Sequence, residues 1–325
     1  MLIPAPLLSA LDAAMESTTG PALARAAEDL SAWYRGGRAH GDALRWNPSH
    51  YVAYAVTRMP ATFAAVSAVL VELARHLPPE SVGTALDLCA GPGTAAWALS
   101  RAFPAIRETV LVERDPGFVE LGRRLASNGP QPLARAEWIE GDVAQATLTE
   151  NRDFDVVTAT YGFGELRPAG LLTALDNAWA CTRAALVIVE PGTPAGFRTI
   201  LACRRRLIDA GAHIAAPCPH ALDCPLAVET GRWCHFSRRL ARQRAHRMAK
   251  GADLGYEDER FAYVIATRKP PAQTNSRIIG YPRTTKAGVT LELCAHGGIR
   301  RELIPKRSRE AYRRARGSRW GDPWE

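Results

Sequence analysis

TALDLCAGPGTAAWALS, residues 84–100, carries the turn from which the fold can be read. Thr84 to Leu88 is apolar apart from Asp87 and predicts a buried strand with a carboxylate near its end. Gly91 and Gly93 then mark a tight turn, and a helix is expected to begin near Thr94. Glycine lets the backbone approach a ligand closely at a first strand–helix turn, where helix N-terminal amides also point. The dinucleotide fingerprint G-x-G-x-x-G is not matched, because Cys89 stands at its first glycine and Thr94 at its third. Outward from this turn, short β-branched runs alternate with helical segments: Glu108 to Val112, Ala136 to Glu140, Phe154 to Ala159 and Ala185 to Val189. That alternation predicts an α/β fold with a mostly parallel sheet and crossover helices.

The segments on either side differ in character. Residues 1–80 read as a helical N-terminal region, with helices over Pro6 to Glu16, Gly20 to Arg35 and Ala61 to His76, closed by Pro78 and Pro79. The α/β part is expected over residues 81–270, with a strand over Phe261 to Thr267 and a Cys-rich insertion at 215–250. Residues 271–325 form a Gly- and Arg-rich basic extension. Charge-free stretches such as Met59 to Val71 reach 13 residues, short of the roughly 18–20 that a membrane-spanning helix needs, so no membrane partner is expected. The segment MLIPAPLLSALDAAMESTTG lacks a basic start and any Arg, which argues against a secretory or transit signal and leads to the expectation of a cytoplasmic protein. Seven cysteines, an odd number, suit free thiols or metal ligands in a reducing compartment better than disulfides.

The turn resembles the first motif of class I S-adenosylmethionine-dependent methyltransferases, D/E-x-G-x-G-x-G, with Asp87, Cys89, Gly91 and Gly93 at its positions. Two more carboxylates stand where that resemblance requires them. Glu113 ends the run VLVE about 20 residues past the glycines, where an acidic side chain can accept from both ribose hydroxyls. Asp142 follows WIEG, where the family places an acid against the adenine amino group. The resemblance therefore implies S-adenosylmethionine as cofactor, with Asp87 near its methionine moiety and the backbone of Gly91 and Gly93 bordering it. Cys89 adds bulk where the motif has glycine. The acceptor side is less legible. TATYGFGEL, residues 158–166, lacks the [DNS]PP[YFW] motif of amino-methylating enzymes, and no cysteine between Cys89 and Cys181 serves as a nucleophile for cytosine C5 chemistry. Tyr161, Glu165 and Glu190 line the expected mouth, and no catalytic base is assigned.

Charge is divided unevenly. The chain carries a formal +8, but residues 198–325 hold 26 Lys and Arg against 12 Asp and Glu, whereas residues 1–197 hold 15 against 21. Basic runs at 204–206, 238–247 and 305–320 point to nucleic acid as partner of the C-terminal part, with Arg238, Arg239, Arg242, Arg244, Arg313, Arg314 and Arg316 on phosphates. Trp233, Trp320 and Trp324 lie among them as candidate base-stacking groups or as buried residues near the cysteines. APCPHALDCPLAVETGRWCHF contributes Cys218, Cys224 and Cys234, and Cys294 follows in LELCAHGG. The spacing C-x5-C-x9-C-x59-C lacks paired C-x2-C knuckles, so zinc and an iron–sulfur cluster stand level on chemistry alone. His220, His235 and His296 flank these cysteines as substitute ligands or supporting donors. Cys181 and Cys203 fall on expected helices and read as packing residues.

NPSHYVAYAVTRMPATFAAV, DLCAGPGTAAWAL, APCPHALDCPL, WCHFSRR and the terminal SRWGD together resemble the Rsm-type methyltransferase-like family of the small ribosomal subunit, which includes the mitochondrial methyltransferase-like protein seventeen and bacterial members. The resemblance runs from about Tyr51 to Asp322. It implies a class I methyltransferase (Rossmann-like) fold, association with the small subunit and its rRNA, and a metal-binding C-terminal part. The metal implied is a [4Fe-4S] cluster on Cys218, Cys224, Cys234 and Cys294, with zinc as the alternative. A radical enzyme is excluded by the absence of a C-x3-C-x2-C loop. Two functions follow as expectations: rRNA methylation, or subunit assembly by a protein that keeps the fold without the chemistry.

Overall fold

The computed structural model describes residues 3–35, 46–145, 152–241, 255–272 and 274–325. The chain separates into two units, one of Met1–Val71, Pro79–Glu150 and Arg238–Glu259, the other of Glu72–Pro78, Asn151–Ser237 and Arg260–Glu325.

The first unit begins with helices α1 (Ala5–Glu16), α2 (Gly20–Arg35), α3 (Pro48–Thr57) and α4 (Met59–Leu73). Leu23, Ala26, Ala27 and Leu30 recur at helical spacing on α2 and bury against Val52, Ala53 and Val56 of α3. The sequence reading missed α3, although Asn47 caps it: its side chain accepts the His50 N–H at 3.1 Å, and the His50 ring accepts the Asn47 N–H at 3.2 Å. Then come β1 (Thr84–Leu88), α5 (Thr94–Ala102), β2 (Glu108–Glu113), α6 (Pro116–Ala126), α7 (Gln131–Ala134) and β3 (Glu137–Glu140). The strands lie in the order β3-β2-β1, all parallel, with Leu86 opposite Val110 and Val110 opposite Glu137. β1 and β2 are nearly continuous apolar runs because both faces are covered.

The second unit holds β4 (Phe154–Thr160), α8 (Pro168–Ala180), β5 (Thr182–Pro191), α9 (Pro194–Asp209), β6 (His213–Ala216), β7 (Phe236–Ala241) and β8 (Tyr256–Thr267), the outer ends of β7 and β8 belonging to the first. β4 and β5 are parallel, and β8 runs antiparallel between β5 and β6, with β7 also paired to it. A mostly parallel sheet with one antiparallel strand inserted next to its edge is the class I methyltransferase-like α/β architecture.

The expected Arg-rich extension contains a second, antiparallel sheet that the sequence reading did not foresee. It consists of β9 (Ser276–Ile278), β10 (Arg283–Thr284), β11 (Gly288–Ala295), β12 (Gly298–Pro305) and β13 (Pro323–Trp324), with helix α10 (Arg309–Gly317) against it. Val289, Leu291 and Leu293 alternate onto one face and bury with Ile278, Ile304, Ala315 and Trp324. Among the described residues no single helix is long and apolar enough to cross a membrane; α3 and α4, bent by 44°, pass that test only as a pair.

Candidate functional site

In the first unit the turn after β1 has the backbone its residues suggest. Gly91 and Gly93 sit at φ 53° and 81°, and Gly93 caps α5 in the left-handed region. Cys89 also has φ 55°, a costly conformation for a residue with a side chain, directly after the strand. A Cβ added to Gly91 meets nothing within 4 Å, whereas one on Gly93 would press on Leu111 at 3.3 Å and Trp138 at 3.5 Å. The turn therefore opens at Gly91 and closes at Gly93.

Glu113 is bonded to that turn. Its Oε2 accepts the Gly91 N–H at 2.8 Å and its Oε1 the Asp115 N–H at 2.9 Å. Burial raises its proton affinity above that of an ordinary glutamate, opposed by backbone donors from Asp115, Gly91 and Arg114. Asp87 is fully buried at the end of β1. Asp142 accepts the N–H of Ala144 at 2.9 Å, and Gly141 N–H donates to the Glu113 carbonyl at 3.1 Å, which sets this loop beside the end of β2. Sequence reasoning missed the support beneath Glu113. Asp115 caps α6 by accepting from Gly117 N–H at 2.9 Å, and the Tyr51 hydroxyl donates to the same carboxylate at 2.8 Å. Asp-Pro-Gly at 115–117 was a readable cap signal; Tyr51 offered none. Trp46, Tyr51 and Tyr54 surround Phe118 at ring separations of 4.9–5.1 Å.

In the second unit, Tyr161 follows β4 with φ 58°, a second strained residue at a strand end. Glu190 is buried and accepts the Gly164 N–H at 3.0 Å, so it holds the loop that also carries Glu165.

Cys218, Cys224, Cys234 and Cys294 all line one apolar cavity of about 30 Å³, with Arg204, Arg277, Phe236 and Tyr263 among its walls. The structure thus gathers thiols that span 76 residues of sequence. Among the described residues no group of three or more His, Cys, Asp or Glu side chains is arranged to hold a metal ion, so the expected metal-binding C-terminal part is not shown. Burial and the neighbouring cysteines raise the thiol of Cys294 to about 12 and also push up Cys224 and Cys234. His220 Nε2 lies 3.9 Å from Cys294 Sγ, and its ring is 6.2 Å from that of His296. His235 stacks on Trp233 and meets the Trp233 carbonyl at 3.1 Å. Cys181 and Cys203 are buried packing residues, as expected, and none of the seven cysteines is in a disulfide.

Part of the basic surface is otherwise employed. Arg204 is buried, which removes it from phosphate binding, and the exposed Arg206 forms a two-pronged surface pair with Asp176 at 2.9 and 2.8 Å. Arg239 pairs with Asp258 at 2.8 and 2.7 Å and covers the Tyr256 ring. Trp324 belongs to the core of the second sheet and is not a stacking surface, while Trp233 donates to the Gly192 carbonyl at 2.9 Å. Arg313, Arg314 and Arg316 are exposed on α10; Arg242 and Arg244 lie outside the described residues.

The family model described as mitochondrial small ribosomal subunit Rsm22 matches residues 48–325. The chain belongs to the Rsm22 family. Among its relatives are the human mitochondrial ribosome assembly protein METTL17, 28% identical over 305 residues, and the Rsm22-cox11 tandem protein 2 of Schizosaccharomyces pombe, 26% identical over 325. These alignments take in 87% and 83% of this chain but 64% and 42% of the relatives, so the Rsm22-family chain spans less than two thirds of either. Solved structures that are similar include an O-methyltransferase family protein from Burkholderia thailandensis (15% identity, TM-score 0.42, covering 74% of this chain and 64% of that one). Another is the magnesium protoporphyrin IX methyltransferase of Synechocystis with bound SAM (15%, TM-score 0.40, 73% and 91%). The family description and the relatives' names are mitochondrial, and they overturn the expectation of a cytoplasmic location. That expectation rested on the composition of one N-terminal segment, which bears on leader peptides and not on where a folded chain works.

Proposed function

We propose that this Rsm22-family protein acts on the small ribosomal subunit during its assembly, binding S-adenosylmethionine and methylating rRNA. The observation that carries this reading is the Glu113 carboxylate held against the glycine turn by the 2.8 Å bond to Gly91 N–H, next to open space over Gly91. The residues fit the cofactor. A carboxylate offers about four acceptor positions, so Glu113 retains capacity for ribose hydroxyls after two backbone bonds. Gly91 presents bare backbone, and Asp87 and Asp142 add carboxylates at the ends of β1 and β3. Bound there, S-adenosylmethionine supplies the activated methyl group; the protein's part is to orient it and to hold rRNA through basic residues of the C-terminal part such as Arg313 and Arg316.

A second reading, an assembly protein without methyl transfer, is favoured by Cys89 at φ 55° and by the engagement of both Glu113 oxygens. The deciding experiment supplies labelled S-adenosylmethionine to immature small-subunit particles from cells lacking the protein, with the intact chain and with Asp87→Ala. Transfer to rRNA that the variant abolishes establishes the enzyme. Binding of particles without transfer establishes the second reading.

The four cysteines are proposed as ligands of a [4Fe-4S] cluster. All four sulfur-bearing side chains line one cavity, and among the described residues the buried Arg204 Nε and Arg277 Nη2 in its walls lack hydrogen-bond partners, which suits an anionic thiolate-bound group. Anaerobically purified protein should contain iron and acid-labile sulfide. A colourless preparation with one zinc per chain defeats the iron assignment.

A further inference from the structure

Two guanidinium groups are buried in the wall of the cysteine cavity. Arg204 on α9 is 5% exposed and Arg277 on β9 is 1% exposed. Arg204 Nη2 donates to the carbonyls of His220 and Leu222, at 2.8 and 2.7 Å, within the loop between Cys218 and Cys224. Arg277 Nε donates to the Pro217 carbonyl at 2.8 Å, and its Nη1 to Glu72 Oε1 at 2.7 Å and Gly321 at 3.0 Å. Among the described residues, Arg204 Nε and Arg277 Nη2 have no hydrogen-bond partner. Burying a cation is strongly disfavoured unless an opposite charge and a full set of acceptors compensate it. Glu72 compensates Arg277, while Arg204 meets backbone carbonyls. Both guanidinium groups line the same cavity as the four cysteines.

We propose that Arg204 and Arg277 are fixed counter-cations for the thiolates of Cys218, Cys224, Cys234 and Cys294, and that they set the redox balance of the iron–sulfur group held there. This rests on the cluster reading above. Four thiolates outweigh the charge of the oxidised core, and a one-electron reduction adds another negative charge in an apolar cavity. Nearby fixed positive charge stabilises the reduced state more than the oxidised one, since the net charge around a cluster is a main determinant of its potential. Arg204 also ties down the loop between two ligands, and Arg277 opposes Cys294 in the β9–β11 register, so both cations are held in place by the chain segments that deliver the sulfurs.

The test uses the full chain purified anaerobically as wild type, Arg204→Gln, Arg204→Lys and Arg277→Lys. Iron and sulfide per chain, thermal melting, and a redox titration followed by electron paramagnetic resonance are measured. At the wild-type midpoint, Arg204→Gln should lower the reduced-to-oxidised ratio at least about tenfold, while Arg204→Lys and Arg277→Lys, which keep the charge, should stay within about threefold. A merely structural role makes Arg204→Lys as harmful as Arg204→Gln, because lysine loses the forked bond to both carbonyls, and that result overturns the proposal. So does an Arg204→Gln protein that loads iron and titrates like wild type. Wild-type protein free of iron and sulfide overturns the cluster reading itself, whatever the arginine variants do.

Discussion

Each oxygen of Glu113 accepts a backbone N–H while burial disfavours its charge. As pH falls, this carboxyl therefore takes up its proton before an exposed glutamate does, and it loses the acceptor capacity proposed above for the ribose. S-adenosylmethionine affinity, followed by calorimetry, should weaken with falling pH from above the ordinary glutamate range; Glu113→Gln should bind weakly with no such dependence. Removing the Tyr51 hydroxyl tests the support below it. Tyr51→Phe should lower stability by about 1 kcal/mol in urea unfolding, the typical net worth of one hydrogen bond. Gly117→Ala should cost more, about 1–3 kcal/mol, since its Cβ would lie 2.2 Å from the Tyr51 ring. Asp87, Gly91 and Glu113 were legible in the sequence because a strand, a turn and the end of the next strand are local patterns. Tyr51 and Arg277 were not, because their partners Asp115 and Glu72 lie 64 and 205 residues away.

At the scale of elements, α9 shows how a junction is fixed. Thr193 caps it by accepting the Gly196 N–H at 3.1 Å, and a Cβ on Gly196 would stand 2.0 Å from the Pro191 carbonyl oxygen. Backbone cannot rotate away as a side chain can. Gly196→Ala should therefore cost at least about 1–3 kcal/mol, read as a lower urea midpoint, and should loosen Arg204 further along the same helix. The parallel strands could be read from buried β-branched runs. The second sheet could not, because β9, β10 and β13 are two or three residues long and acquire strand geometry only from distant partners. Arginines 300 and 301 of β12 further masked its apolar face.

For the whole molecule, the +14 of residues 198–325 overstates the charge available to the RNA partner proposed above. Arg204 and Arg277 are buried, Arg206 and Arg239 are paired with carboxylates, and Arg314 lies 4.2 Å above the Trp324 ring. Arg313 and Arg316 remain exposed on α10. Their joint replacement by Ala should weaken rRNA binding at low salt and reduce the slope of log affinity against log salt by roughly 0.7–0.9 for each phosphate no longer neutralised, measured by filter binding across a salt series. The order in which the cysteines emerge has a consequence for the protein's birth. Cys234 precedes Cys294 by 60 residues, which at ~5–20 residues per second is roughly 3–12 s of synthesis. Through that interval a growing chain offers three thiols without the fourth, and Cys294 joins them only as β11 pairs with β9. On the cluster proposed above, the fourth ligand is therefore supplied only once β11 has been made, and a chain synthesised as far as Cys234 holds three of the four sulfurs.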